Sequence, residues 1–273
     1  MGKQQQIDAT RTKPLTLETL REYGALADIS PPAGRFDPNG TWKHTYQIWL
    51  VERGASGYLR LERSLSADGR SVGLSVEMSV VQATRAVYQT KVDLQCAPDA
   101  LSTPRSWRIE SMILDPKGQP IDVAKVAETA TVKDGTIEVT TGKHTFVRKV
   151  PSVLTSNWSL FDVVQRLSGK ETKPLGFALL EDLDLLKEGQ RLSYWQTTKI
   201  ELGGKAIPLC GYQQTGAGIL PYQYWVDDPH RLLFAISGVR AYILDPNAQK
   251  RMEQSLKKAG PTLPSGKGRR KKG

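Results

Sequence analysis

A chain of 273 residues with 39% hydrophobic content is long enough for one large domain or two ordinary ones. It holds no apolar run of about 18 residues, which excludes a membrane-spanning helix. The formal charge of +10 sits at one end: residues 250–273 carry nine Lys or Arg and one Glu, a net +8, leaving +2 for the other 249. That distribution argues against specific nucleic-acid recognition, which needs its charge on the folded surface.

The start, Met1 to Lys13, is polar and has no apolar h-region, so no secretory leader is read there. Next, Leu17, Leu20, Tyr23 and Leu26 recur at helical spacing behind Thr16, a capping residue. A short helix packed on the outside of a sheet is expected, and SPPAGRFDPNG (residues 30–40) then reads as loop. Residues 1–40 thus form an N-terminal helix and loop arm.

From Thr41 the period changes to two. Trp42, His44, Tyr46, Ile48 and Leu50 share one face of a strand. Between Ser71 and Val81, Val72, Leu74, Val76, Met78 and Val80 alternate with small or polar residues, so that strand covers a core on one side. Turn signals punctuate the chain at Asp68-Gly69, Asp115–Gly118, Asp134-Gly135, Gly142, Gly203-Gly204 and Asp228-Pro229. Glycine (24) and proline (16) contents suit this pattern. Residues 41–245 read as a single mainly β domain: a curved antiparallel sheet or open β-barrel of about ten strands.

One segment interrupts the meander. In WSLFDVVQRLSG, Leu160, Val163, Val164 and Leu167 have helical spacing, with Trp158 and Phe161 on a flank. Ser156 or Asn157 caps this helix and Gly169 ends it. Apolar residues cover more than half its surface, so the helix at 157–167 is expected in or across the concave face of the sheet. Residues 176–186 read equally as strand pieces or a helical turn. Strand patterns return from Arg191 to Val239, with Tyr222, Tyr224 and Val226 on one face and Gln223, Trp225 and Asp227 on the other. Residues 246–273 read as a basic, disordered tail whose 250–273 part suits an anionic partner.

No dinucleotide, phosphate-loop, zinc-protease or nucleophile-elbow motif occurs. His44, His144 and His230 stand far apart in sequence, and a metal or triad would require them to converge. Cys96 and Cys210 match no zinc spacing, and read as a disulfide in an exported protein or as two free thiols. Glu181, Asp182 and Asp184 could serve acid–base chemistry or calcium, or form a solvated face. No catalytic residue, metal site or cofactor is assigned. The strongest functional clue is aromatic: Trp158, Phe161, Tyr194, Tyr222 and Tyr224 either line an apolar cavity or fill the core beneath the helix.

The early meander, the WSLFDVVQRL helix, LLEDLDLLKEGQRLSYW and the PYQYWVDDPHRLL hairpin together resemble uncharacterised exported bacterial β-proteins. These are similar in turn to the half-barrel lipoprotein carriers LolA and LolB. The resemblance spans residues 40–244. It implies a sheet curled around a helix, a cell-envelope or periplasmic location and a lipid-like or other apolar ligand. The chain departs from it in having no export signal and no lipobox cysteine, and as written reads as cytoplasmic. The expectation is a non-enzymatic cell-envelope protein holding an apolar ligand in a half-barrel. The alternative is a structural or interaction protein with a solid core, touching a partner by a sheet edge or the basic tail.

Overall fold

The computed structural model describes residues 13–258. The first half is a meander: β1 (Trp42–Leu50), β2 (Gly54–Leu65), β3 (Val72–Val81), β4 (Val87–Cys96), β5 (Pro104–Leu114), β6 (Val126–Lys133), β7 (Thr136–Thr141) and β8 (His144–Lys149). After β9 (Leu154–Ser156) comes a helix, α2 (Asn157–Val163), preceded in the chain by α1 (Leu17–Glu22). A second meander follows: β10 (Leu175–Glu181), β11 (Leu185–Leu202), β12 (Lys205–Thr215), β13 (Tyr222–Val226), β14 (Leu232–Ile236) and β15 (Arg240–Leu244). Helix α3 (Ala248–Lys258) ends the described chain.

All fifteen strands belong to one open sheet, in the order β8-β7-β6-β5-β4-β3-β2-β1-β15-β14-β13-β12-β11-β10-β9. The count exceeds the ten expected because short strands such as β9, three residues long, carry no readable period. Residues 176–186, ambiguous in sequence, become the end of β10, a turn and the start of β11. Every pairing is antiparallel except β9 with β10.

This order forces curvature. The chain starts mid-sheet at β1, runs out to the edge strand β8, and must resume at the opposite edge, β9. Laid flat, fourteen interstrand gaps would separate those edges by about 67 Å. Only residues 150–153 join them, a stretch spanning roughly 17 Å at full extension. The sheet therefore curls until its edges approach. Arg148 on β8 reaches across the seam and donates to the carbonyl oxygens of Leu183 and Asp184 in the β10–β11 turn.

The space enclosed by this curl holds α2. A seven-residue helix is only about 10 Å long. Yet Phe161 makes edge-on ring contacts with Tyr46 on β1, Tyr224 on β13 and Tyr242 on β15. Ser159 meets Cys96 on β4, and Asp162 pairs with Arg63 on β2. Only a position inside the concave face permits all of these, as expected for a helix buried from Trp158 to Val163. The α-helix stops at Val163, short of the expected Leu167, and tightens into a 3₁₀ turn over Val164–Arg166. Ser156 caps it through the amide of Ser159.

An ionic clamp holds α2 in place. Asp162 is fully buried; its carboxylate pairs with Arg63 Nε at 2.7 Å and Arg166 Nη2 at 3.1 Å, and accepts from Ser102 Oγ at 2.6 Å. Gln165, also fully buried, receives the amide proton of Leu232 on β14.

The outer face is dressed unequally. Strand β14 is buried along both faces, so it is covered outside as well as in. Leu15, Leu20, Ala25, Leu26 and Ile29 of the arm are all buried and belong to the same hydrophobic core. The Leu15 amide donates to Gly238 in the β14–β15 turn, and Thr16 forms a capping box with Thr19. Helix α3 packs on the outside of β1 and β2, where Arg251 pairs with Asp245 and Asp28. The basic tail expected from residue 246 thus begins as an ordered helix: Ala248, Met252 and Leu256 line one side of a groove against β2. A long run of charge hid that face. Residues 259–273 lie outside the described residues.

Candidate functional site

One open end of the curled sheet contains a cavity of about 380 Å³ between α2 and strands β10 to β15. Trp158 and Phe161 of α2 form its floor, and Tyr222, Tyr224, Tyr242 and Leu179 its wall. Strand parity explains the wall. Tyr222 and Tyr224 are two apart on β13, so both point inward, and their rings stack 5.1 Å apart. Tyr242 on β15 reaches the same face because it stands opposite Ala235, which stands opposite Tyr224.

Four of the five expected ligand residues therefore converge: Trp158, Phe161, Tyr222 and Tyr224. Tyr194 does not line the cavity. It lies in the same inward row, but Tyr212 stands between it and Tyr224. The Tyr212 hydroxyl accepts from the Gly169 amide, closing that side. A bulge between Tyr194 and Gln196 then turns Trp195 to the surface, where it meets Trp225.

The rim is polar and was not readable from spacing. Glu181 and Lys187 form an ion pair at 2.6 Å. Asp182 and Asn157 exchange two hydrogen bonds: the Asn157 amide group donates to Asp182 Oδ1, and the Asp182 backbone N–H donates to Asn157 Oδ1, each at 2.9 Å. Arg240 stands exposed opposite and donates to the Tyr242 hydroxyl at 3.3 Å. Leu220 and Val239, both more than half exposed, add apolar edges to the mouth. Beneath, the Tyr224 hydroxyl donates to Gln214, which is bonded in turn to Gln190.

The acidic cluster at 181–184 is thus no calcium loop but a turn on this rim. Its backbone is strained: Asp182 and Leu183 have φ of +49° and +62°. The Asp184 amide bonds Glu181, giving the primed hairpin turn that glycine and asparagine usually occupy. Burial of Leu183, 1% exposed, and the Asn157–Asp182 pair offset the strain. Burial also raises the Asp182 carboxyl above its ordinary range, opposed by the bond from Asn157. The hydroxyls of Tyr222, Tyr224 and Tyr242 are likewise pushed up by burial, so the wall is uncharged at neutral pH.

The remaining sequence candidates lie elsewhere. His44 is buried on β1 between Trp42 and Tyr46, His144 is exposed on β8, and His230 occupies a turn. Among the described residues no three His, Cys, Asp or Glu side chains gather as metal ligands. Cys96 and Cys210 are free thiols; burial pushes Cys96 up to about 12, which makes it a poor nucleophile.

No protein-family model matches the chain, and no curated protein matches it in sequence. Its fold is similar to the crystal structure of a beta-barrel-like protein of a domain of unknown function, DUF1849, from Brucella abortus. The TM-score is 0.50 at 13% identity, over 76% of this chain and 96% of that one. The chain shares the architecture of a bacterial β-barrel-like protein, mainly antiparallel and curled into one large open sheet.

Proposed function

We propose that this protein is a non-enzymatic binder of a lipid-like or other apolar ligand, held between α2 and the late strands. The cavity carries the reading. About 380 Å³ falls in the usual range for ligand sites, and the aromatic wall offers an apolar surface beneath a charged rim. Kinship with LolA and LolB, and a cell-envelope setting, belong to the same proposal; the curled sheet with a helix inside it supports them. Native mass spectrometry of the protein purified from its own host tests it by revealing a retained apolar molecule. Uptake of an environment-sensitive naphthalene dye tests it in vitro. Ile219→Trp, at the half-buried rim, should block the cavity and abolish uptake while leaving the unfolding midpoint unchanged. Unchanged uptake by that variant refutes the site.

A second reading, contact through a sheet edge, rests on β8. Phe146 and Val147 are 48% and 62% exposed on opposite faces. Thr141 and His144 flank a two-residue turn, so Thr145, Val147 and Lys149 aim their backbone N–H and C=O groups away from β7. An extended segment could pair there. Val147→Pro would remove one of those donors, and equal partner capture by the variant in cross-linking would dismiss this reading.

A further inference from the structure

We propose that the cavity end of the sheet is a membrane-docking face: aliphatic side chains on its turns enter the surface of a lipid bilayer, so that an apolar ligand reaches the cavity without crossing water. This rests on the binding reading above and adds the partner.

Topology defines the face. In an antiparallel meander successive turns fall at alternate ends. Turns 51–53, 82–86, 115–125, 142–143, 182–184, 216–221 and 237–239 therefore share one end. The cavity opens there, since Asp182, Leu220 and Val239 of these turns line it.

Exposure singles this end out. Among the described residues eleven large apolar side chains are exposed. Six belong here: Ile121, Val123, Leu220 and Val239 within turns, and Val126 and Leu185 as the first residues of β6 and β11. Leu65 and Val153 stand at the opposite end, and the other three lie within strands. Val123 is 97% exposed, and Leu185, Leu220 and Val239 are more than half exposed. Scattered apolar residues are ordinary on a protein surface, whereas their concentration at one opening marks an interaction site.

Chemistry selects the partner. None of the six is aromatic, while protein interfaces draw on Tyr, Trp and Arg seated in matched pockets. Aliphatic tips on separate turns suit a fluid apolar layer, which needs no complementary shape. Binding at a bilayer surface scales with the apolar area buried plus any attraction to anionic lipid. The second contribution is missing, because the seven turns carry five Lys or Arg and five Asp or Glu. Docking should therefore need no anionic headgroup and vary little with salt.

Flotation of the full chain with dioleoylphosphatidylcholine vesicles tests the face, since a neutral surface does not attract the basic C-terminal residues. The chain should float equally at physiological and at high salt. Val123→Ser, Val126→Ser and Leu185→Ser together spare every residue lining the cavity. That triple variant should bind vesicles about tenfold more weakly, or worse, and still take up the naphthalene dye from water. Leu65→Ser with Val153→Ser, at the far end, should float as wild type does. The new indole of Val123→Trp should be quenched by brominated phosphatidylcholine, and that of Val153→Trp should not. Unchanged flotation of the triple variant, or flotation with anionic vesicles alone, overturns the docking face. A wild-type chain that does not float also overturns it and gives this end to a protein partner; dye uptake would still uphold the cavity. Flotation without dye uptake overturns the cavity reading and leaves the face standing.

Discussion

Replacing Asp162 with alanine probes what keeps α2 inside the sheet. The carboxylate is fully buried, and the Arg63 and Arg166 side chains it neutralises are 5% and 16% exposed. Truncation leaves two guanidinium groups in a place that water barely reaches. Breaking a buried pair in this way costs about 3–5 kcal/mol. Typical domains have about 5–15 kcal/mol in total, so the loss is a large share. For a domain of this size it lowers the melting midpoint by roughly 6–20 °C. Urea unfolding followed by tryptophan fluorescence measures it, because Trp42, Trp107, Trp158 and Trp225 are all buried. Asp162→Asn should cost less, since it keeps an acceptor for Ser102. The double variant Arg63→Met with Asp162→Leu should recover part of the deficit, because one stranded charge goes with the carboxylate. An Asp162→Ala protein within about 0.5 kcal/mol of wild type refutes the clamp.

Other outcomes follow from the same geometry. His44 is buried, and desolvation lowers it from 6.5 to about 4. Its folded value is depressed, so the unfolded chain binds the extra proton; stability is full above 6.5 and falls as pH drops toward 4, by about 2 kcal/mol at pH 5. His44→Phe should flatten that slope in urea titrations at pH 7.5 and 5; an unaltered slope counts against the assignment. At Gly57 a Cβ would lie 2.0 Å from the Ser79 carbonyl oxygen on the paired strand. Gly57→Ala should therefore cost about 3 kcal/mol in thermal unfolding, and a neutral result would show that β2 and β3 separate easily. Asn157→Ala removes both bonds to Asp182 and should speed amide exchange across residues 182–184 by about tenfold or more, while dye affinity falls. Protection equal to wild type would mean that Leu183 alone holds the turn.

Much of this architecture was legible in the chain itself. Alternation over Ser71–Val81, the turn residues at Asp68-Gly69 and Asp134-Gly135, and the helical spacing of Leu160, Val163 and Val164 each depend on neighbours a few positions away. Such signals survive in one dimension, and so do Thr16 and Ser156 as caps. They also place Tyr222 and Tyr224 on one face, and Trp158 and Phe161 on an apolar rod.

What the tertiary structure alone decided is which of these meet. Tyr194 obeys the same parity as Tyr224 yet misses the cavity, because Tyr212 on the intervening strand fills the gap. Asp162, Arg240 and Asp182 look like ordinary surface charges in sequence; one became the core's ionic clamp and two the rim of the site. The pairing of β1 with β15 joins residues almost two hundred positions apart and sets the sheet's order. No local period encodes such a contact. Once it is made, the short link between β8 and β9 leaves the sheet no option but to curl, and the space so enclosed holds the apolar helix.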